Sequence, residues 1–260
     1  MIQPTNRPFE IYADAHFAAP PTETFRLEEQ KHNLTAADEN YISTTRHALD
    51  DAEHWHPLFA EKYNISANLR EDYVLVPVTI FLSDIPNKKG HSFTYEELTS
   101  ADPYLGQIKY KTWERKPCQL DHQNKDIKVA KGIILSASLQ PAPSLQGDLY
   151  KLILLQAYDR RTWPEYTNKI LTGELNSYSM GASAHGFKCS VCSKSVPDDG
   201  CGHIPKGMVT GTGFTYTKVG DQLAYVEAQD IVGFECSLLT KNNPANPVSW
   251  VKSTDIMRYT

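Results

Sequence analysis

The sequence predicts an α+β protein in which a mostly antiparallel β-barrel or β-sandwich is surrounded by a few helices. Many short apolar segments are separated by Gly, Pro and polar residues, which is typical of antiparallel strands joined by turns. A few other segments show helical spacing of their apolar residues. The chain has 260 residues, of which 40% are hydrophobic and 22% charged, so it can bury the core of one large domain.

We divide the chain into three regions by composition. Residues 1–33 are rich in Pro, Thr and charged residues, which predicts a flexible N-terminal arm. Residues 34–71 are predicted to form a helical extension, because their apolar residues fall near helical spacing. Residues 72–260 are predicted to form the main domain, with an insert at 185–205 that contains clustered Cys and His residues.

The main domain contains most of the predicted strands. They are Tyr73 to Leu82, Lys128 to Leu139, Leu149 to Tyr158, Met208 to Tyr216, Gln222 to Glu227 and Ile231 to Thr240. Pro77 lacks a backbone N–H, which predicts an edge strand or a bulge at that position. A capping box at Thr94 and Glu97 predicts a short helix, and a second helix is predicted from Thr162 to Leu171. Gln107 to Trp113 is predicted to be extended.

Charge and hydropathy exclude some classes of protein. The net charge is -5 and the basic residues are scattered, which argues against direct nucleic-acid binding, because that binding uses clustered Lys and Arg. No apolar run approaches the roughly 20 residues of a membrane span, and the N-terminus lacks the basic and apolar regions of a signal peptide. We therefore expect a cytoplasmic protein with no membrane partner.

Three of the five cysteines lie close together beside a histidine, in the order Cys189-x2-Cys192-x8-Cys201-x-His203. Zinc prefers four such ligands in a tetrahedron, so the spacing predicts a small Cys3His zinc loop, with His185 as a reserve ligand. A closed four-ligand site has no open position for a substrate, so we expect the zinc to be structural. The alternative is a chance cluster of buried thiols.

Ser179 lies among small residues in the segment 176–183 and is a candidate nucleophile. A serine needs a base within hydrogen-bonding distance, and that base must be oriented by a third group. Residue types alone do not establish such an arrangement. Without further information Ser179 is an ordinary small strand residue, and His122 is an ordinary surface or core histidine.

An ordered set of short motifs changes that interpretation. The motifs are Gly106-x3-Tyr110-x-Thr112-Trp113-x2-Lys116-Pro117, Asp121-His122, Gly132-Ile133-Ile134, Gly173-x-Leu175-x2-Tyr178-Ser179-Met180-Gly181 and Glu235-Cys236-Ser237-Leu238-Leu239 with Pro244-Ala245-Asn246-Pro247. Together they cover about residues 72 to 250. This set resembles the prohead (head-maturation) proteases of tailed bacteriophages, in particular the core-protein proteases of large contractile-tailed phages. Those proteases look related in fold to the herpesvirus assemblin, a β-barrel surrounded by helices.

The resemblance implies that Ser179 is the nucleophile, His122 the general base and Glu235 the acid that orients the base. The herpesvirus relatives have a second histidine in the third role, so the third member stays open. Other acids that could take it are Asp121, Asp230 and Glu227. Asp121 is the poorest of these, because adjacent residues on a strand point to opposite faces. Candidate oxyanion donors are the Gly181 amide and the side chain of Arg160 or Arg161, although a salt-bridged surface pair is the simpler interpretation of the two arginines.

The resemblance also implies a biological setting. We expect a serine endopeptidase that acts in the host cytoplasm, inside the phage prohead, on scaffold or core proteins and on the major capsid protein. A homo-oligomer and a monomer both stay open. Some large-phage members look specific for cleavage after Glu in a Leu/Ile-x-Glu context. Because the arm contains Leu27-Glu28-Glu29, we hypothesise self-cleavage after Glu29, and an arm that covers the active site before this cleavage is a candidate inhibitor.

Two other interpretations stay open. The chain could be a catalytically inactive capsid scaffold that keeps the protease fold and its zinc loop. It could also be a zinc-containing binding protein in which Ser179 and His122 are incidental. Loss of cleavage on substitution of Ser179 would separate the enzyme from both.

Overall fold

The computed structural model describes residues 9–13, 39–87, 90–142, 149–196, 201–204, 217–220, 222–240 and 257–258. Within them, most elements are strands and the helices are few, which confirms the predicted α+β class. The helices are α1 (Glu39–Tyr63), α2 (Tyr95–Thr99) and α3 (Pro164–Leu171), and 3₁₀ helices lie at Lys109–Trp113 and Ile127–Val129. The strands are β1 (Phe9–Ala13), β2 (Tyr73–Leu82), β3 (His91–Ser92), β4 (Pro117–Leu120), β5 (Gly132–Pro141), β6 (Tyr150–Asp159), β7 (Tyr178–Ala184), β8 (Gly186–Cys189), β9 (Ser195–Val196), β10 (Thr217–Val219), β11 (Gln222–Ala224), β12 (Val226–Gln229), β13 (Val232–Leu238) and β14 (Met257–Arg258).

Eight strands form the main sheet, in the order β1-β7-β13-β4-β5-β6-β2-β14. Neighbouring strands are antiparallel except for β13 and β4, which are parallel. Strands β2 and β7 contact each other although four strands separate them in this order, so the sheet curls back on itself. Its two edges are β1 and β14. The described sheet is therefore a curled, open sheet, and the closer match to an assemblin-like barrel stays a prediction.

A second sheet of four strands has the order β3-β12-β8-β9, and β10 pairs with β11. Strand β7 continues into β8 after His185 alone, and β12 continues into β13 after Asp230 and Ile231. The same two stretches of chain therefore contribute strands to both sheets. This continuity fixes the position of the small sheet relative to the main one.

Helix α1 covers the face of the main sheet formed by β2, β5 and β6. Its buried residues recur at helical spacing, at Leu49, Ala52, Trp55, Ala60 and Tyr63. They pack against buried strand residues Tyr73, Leu75, Ile133, Leu135, Leu155 and Ala157. The helix lies within the predicted helical extension, and its last turn reaches the sheet close to the start of β4: the Tyr63 hydroxyl donates a hydrogen bond to the Arg115 carbonyl at 2.8 Å.

Several predicted elements are confirmed. Strand β2 has the predicted bounds, β6 and α3 differ from prediction by one or two residues, and the Thr94 hydroxyl accepts a hydrogen bond from the Glu97 amide at 3.2 Å as the capping box requires. A register shift in β2 between Thr79 and Phe81 lies two residues beyond Pro77, near the predicted bulge.

Other predictions were wrong. Gln107 to Trp113 is not extended, because Lys109 to Trp113 forms a 3₁₀ helix that a hydrogen bond from the Thr112 hydroxyl to the Lys109 carbonyl stabilises (2.6 Å). The strand predicted from Lys128 begins only at Gly132. The arm at 1–33 was predicted to be flexible, and the part of it that the structure describes, Phe9–Ala13, instead forms β1 at the edge of the main sheet. The predicted strand from Met208 to Tyr216 lies outside the described residues.

Candidate active site and metal centre

Ser179 and Glu235 lie on the neighbouring strands β7 and β13, which are second and third from the β1 edge of the main sheet. In the β7–β13 pair, Ser237 is opposite Ser179 and Glu235 is opposite Gly181. Residues two apart on a strand share a face, so Ser179, Gly181, Glu235 and Ser237 point to the same side of the sheet. All three polar side chains are buried, with Ser179 2% exposed and Glu235 fully enclosed.

Gly181 leaves space for the Glu235 carboxylate, and Gly233 leaves space for the Trp113 ring beside a β-bulge in β13. The register of β13 against β7 shifts between Gly233 and Glu235, so Phe234 is the extra residue. A Cβ at Gly181 would lie 2.5 Å from Oε1 of Glu235, and a Cβ at Gly233 would lie 2.2 Å from the ring of Trp113. Any larger residue at Gly181 would displace the carboxylate. The bulge would likewise shift if Gly233 carried a side chain.

His122 reaches this face from a tight turn after β4. Asp121 and His122 both have positive φ, at 46° and 57°, a conformation that costs a non-glycine residue about 1–2 kcal/mol. Hydrogen bonds to the end of β13 hold the turn: the Asp121 amide donates to the Leu238 carbonyl at 3.0 Å, and the Asp121 carboxylate accepts from the amide and hydroxyl of Thr240. The turn points the His122 ring back over the sheet.

The three residues implied by the resemblance are joined in one line of hydrogen bonds. Nε2 of His122 is 2.9 Å from Oγ of Ser179, and Nδ1 is 2.8 Å from Oε1 of Glu235. A carboxylate only accepts hydrogen bonds, so in the neutral ring Nδ1 carries the hydrogen and Nε2 is the nitrogen that can accept the Ser179 proton. The His122 side chain is 18% exposed, whereas Glu235 and Ser179 are buried on either side of it, so the imidazole is the most exposed member of the line.

Ser237 has a part in the site that the sequence analysis did not assign. Its hydroxyl donates to Oε2 of Glu235 at 2.6 Å and accepts from the His122 amide at 3.0 Å. This fully buried residue therefore ties the carboxylate to the backbone of the histidine turn. The Glu-x-Ser spacing on a strand, which puts both side chains on one face, was the available signal.

The other candidate acids lie elsewhere. Asp121 binds Thr240, as described above. The carboxylate of Asp230 is 2.9 Å from Nζ of Lys109, which also binds Glu97 at 2.8 Å in a largely buried cluster. Glu227 lies on β12 of the small sheet, where burial raises the pKa of its carboxyl group. Of the candidate acids, Glu235 is the one placed against His122.

Neither arginine is supported as an oxyanion donor. Arg160 is exposed, and Arg161 is 75% exposed with a guanidinium nitrogen 3.7 Å from the Asp72 carboxylate, which matches a surface salt bridge. Gly181 lies between β1 and β13 in the ladder, so its N–H faces a neighbouring strand. The role of Gly181 in the structure is to leave space for the Glu235 side chain.

A basic cleft of about 540 Å³ opens beside Glu235. Its walls include Lys62 from the end of α1, Lys116 just before β4 and Lys125 after the histidine turn. Burial, together with the charge of Lys62, lowers the pKa of Lys116. Within the described part of the chain, none of the three lysines forms an ion pair with a carboxylate. The buried amide of Gln119, which also lines the cleft, has no hydrogen-bond partner there either.

The predicted metal ligands also come together. Atoms of Cys189, Cys192, Cys201 and His203 that could bind a metal lie within 4.8 Å of one another. Sγ of Cys189 is 3.7 Å from Nδ1 of His203, and Sγ of Cys192 is 3.5 Å from Sγ of Cys201. The edges of a tetrahedron with metal–sulfur bonds of about 2.3 Å are about 3.8 Å long, so these distances fit one four-coordinate metal ion.

The backbone around the cluster favours thiolates at part of the site. Burial by itself would raise the pKa of Cys201, but the backbone amides of His203 and Ile204 and the neighbouring thiols outweigh it and lower that pKa. Burial raises the pKa of Cys189, whose Sγ accepts a hydrogen bond from the Val191 amide at 3.4 Å. The turn that holds these ligands begins where β8 ends.

His185 is not part of this cluster. It is exposed between β7 and β8, and its Nδ1 lies 3.2 Å from the Asp230 carbonyl. The metal cluster itself is separated from Ser179 by the length of β7 and β8, which is at most about 33 Å of extended chain. The cluster and the Ser179–His122–Glu235 line are therefore two distinct sites on continuous strands.

No family model, no curated protein and no solved structure matches this chain. Among the described residues, none of the helices combines the length and the apolar character needed to cross a bilayer. A functional assignment therefore has to be argued from the geometry of the two sites.

Proposed function

We propose that the protein is a serine endopeptidase in which Ser179 is the nucleophile, His122 the general base and Glu235 the orienting acid. The observation that carries the proposal is the hydrogen-bonded line Ser179–His122–Glu235, with distances of 2.9 and 2.8 Å. These are the contacts that a serine nucleophile needs for activation. These contacts join residues that lie far apart in the sequence. A serine and a histidine without a shared function would have no reason to lie within hydrogen-bonding distance of each other.

The reaction is acyl transfer to water. Nε2 of His122 takes the Ser179 proton while Oγ attacks the scissile carbonyl, and the same nitrogen then donates that proton to the leaving amine. Water, activated by His122, hydrolyses the acyl-enzyme and restores the serine. Glu235 keeps the ring in the tautomer with hydrogen on Nδ1 and stabilises the imidazolium that forms in each step.

The basic cleft supports acidic substrates. Three ammonium groups without a carboxylate partner among the described residues, and the Gln119 amide, which has no hydrogen-bond partner among them, offer hydrogen-bond donors to a carboxylate close to the proposed catalytic acid. This agrees with the cleavage after Glu that the sequence resemblance implies. Scaffold or core proteins and the major capsid protein inside a phage prohead are the proposed natural substrates, and the arm is a proposed self-substrate at Glu29.

The metal in the Cys3His cluster is proposed to be structural zinc. Three thiols and an imidazole at tetrahedral spacing suit zinc, which would fasten the turn after β8 and supply no catalytic chemistry. Metal analysis should find about one zinc per chain.

Cleavage of a peptide tests the proposed enzyme. The probe is a fluorogenic peptide that spans residues 24–34 and contains Leu27-Glu28-Glu29. We expect the wild-type chain to cleave it after Glu29, and Ser179→Ala and His122→Ala to lower kcat by about 10⁴-fold or more with unchanged melting temperatures. A probe with Gln at both glutamate positions should be cut poorly. Equal cleavage by wild type and Ser179→Ala would refute the proposal, and a folded, fully inactive wild type would favour a scaffold.

A further inference from the structure

The strand that carries Ser179 has a second edge, and a segment of the N-terminal arm occupies it. Strand β7 pairs with β13 on one side and with β1 on the other, and β1 ends the main sheet. In the antiparallel register, Phe9 is opposite Ala184 and Ala13 is opposite Met180. The last paired residue of β1 thus lies next to the position of Ser179 along the strand, one residue rise of about 3.3 Å away.

We propose that the outer edge of β7 is the surface on which a substrate peptide docks as an added strand, and that β1 occupies this surface in the uncleaved chain. This inference rests on the proposed function. A sheet edge presents unpaired N–H and C=O groups, and an extended peptide binds there through its main chain. A peptide in the register of β1 that extends one residue further would lie alongside Ser179.

The position of β1 makes it displaceable. It has five residues and β7 as its partner strand in the main sheet, whereas β7 itself is held between two strands. Strand β1 belongs to the same chain as β7, so its competition for the edge is intramolecular and does not depend on the protein concentration. A free substrate must compete with it from solution. Strand β1 therefore acts as a built-in inhibitor.

Self-cleavage after Glu29 would end the competition. Hydrolysis of the bond between Glu29 and Gln30 consumes one water and leaves a carboxylate on Glu29 and an amine on Gln30. Strand β1 then belongs to a separate peptide, which loses the advantage of being in the same chain as β7 and diffuses away. The predicted cut thereby becomes an activating step, because it clears the edge beside Ser179.

The opposite edge of the sheet supplies a matched control. There β14 pairs with β2, with Met257 opposite Leu75 and Arg258 opposite Val74. Strand β14 pairs with β2 and not with β7, so freeing this edge leaves β1 in place on the outer edge of β7 and should not affect a peptide that binds beside Ser179. Each edge is covered by a short strand, which makes the two disruptions comparable.

Peptide binding to the full chain tests the inference without catalysis. The probe is a fluorescent peptide of residues 7–15, and the receptor carries Ser179→Ala so that nothing is cleaved. Successive strand residues point their N–H groups to opposite sides, so one of Ile11 and Tyr12 points its N–H toward β7. Proline has no N–H, so replacing both residues (Ile11→Pro with Tyr12→Pro) removes a hydrogen bond to β7 whichever of them donates it. We expect this variant to bind the probe with a Kd at least tenfold lower than that of the Ser179→Ala parent. Met257→Pro with Arg258→Pro should leave the parent's Kd unchanged.

Equal Kd values for the proline variant and its parent would overturn the inference, as would an equal gain from the β14 control. Binding by the Ser179→Ala chains does not depend on turnover, so a failure here is distinct from a failure of the proposed enzyme. In chains that keep Ser179 and carry Glu28→Gln with Glu29→Gln, so that the arm stays uncut and β1 stays attached, the β1 prolines should lower KM for the peptide of residues 24–34 about tenfold and change kcat less than twofold. An unchanged KM would equally refute β1 as a competitor.

Discussion

The hydrogen-bonded residues of the candidate active site are 57 and 113 positions apart in the chain, whereas the four candidate metal ligands all lie between Cys189 and His203. The active site is assembled by the register of three strands and by a strained turn. The metal centre is assembled by one turn and a short segment after it. The active site therefore depends on the whole main sheet, whereas the metal centre depends on the metal ion that it binds. This difference predicts opposite responses to damage at the two sites.

The largest effect is expected from Glu235→Gln. The amide nearly preserves the size of the side chain but carries no charge, so it cannot stabilise the imidazolium of His122 or enforce the tautomer. We expect kcat to fall by about 10³- to 10⁴-fold, with the melting temperature changed by only a few degrees. Steady-state kinetics on the peptide of residues 24–34, with thermal unfolding of the same samples, measures both.

Glu227→Gln is the matched control for that substitution. It removes a partly buried carboxylate on β12 that does not contact His122. We expect activity within about twofold of wild type. If Glu227→Gln and Glu235→Gln impaired kcat equally, Glu235 would not be the orienting acid.

Metal removal should affect stability more than chemistry. Cys192→Ser deletes one of four ligands, and loss of a structural metal costs several kcal/mol, which lowers the melting temperature by about 10 °C or more for a chain of this size. Turnover per folded molecule at low temperature should stay within severalfold of wild type. Elemental analysis and calorimetry report metal content and stability, and kinetics at low temperature report the chemistry.

Cys118→Ala serves as its control, because Cys118 is buried in the main sheet away from the cluster and the variant should keep its metal. A Cys192→Ser chain that kept its melting temperature but lost turnover would contradict a structural role. The two candidate sites would then be coupled through β7 and β8.

The sequence predicted the metal ligands more directly than the active-site residues, because the metal ligands are close together in the chain and the active-site residues are far apart. Cys189, Cys192, Cys201 and His203 lie close enough in the chain for spacing alone to bring them together. Convergence of Ser179, His122 and Glu235 depends on strand order, which no local pattern specifies. Their roles were implied by resemblance to a family, and their proximity became visible only in the folded chain.

Local sequence patterns also left out the features that adjust the active site. The bulge at Phe234 and the positive φ of His122 arise from long-range packing, such as that of Trp113 on Gly233, and from hydrogen bonds to Thr240. Strand β1 lies in an arm whose Pro-rich and charged composition predicts flexibility, and it forms because β7 offers it an edge. By contrast, β2 and β6 are long buried strands with little ambiguity in their apolar patterns, and their bounds were predicted almost to the residue.

The smallest effect is expected from Ser237→Ala, which tests how rigidly the active site must be held. Its hydroxyl joins Oε2 of Glu235 to the His122 amide, so its removal leaves a buried carboxylate oxygen and an amide hydrogen without that partner. Such a loss costs about 1–3 kcal/mol. We expect kcat to fall about tenfold with KM nearly unchanged, because the hydroxyl positions the acid and the histidine turn and does not touch the substrate. Among the described residues, the Ser183 hydroxyl donates one long hydrogen bond, to the Val232 carbonyl at 3.4 Å, so Ser183→Ala should leave both constants unchanged. A tenfold rise in KM with kcat preserved would instead place Ser237 in substrate binding, and an effect equal to that of Ser183→Ala would show that the bulge and the turn hold Glu235 without it.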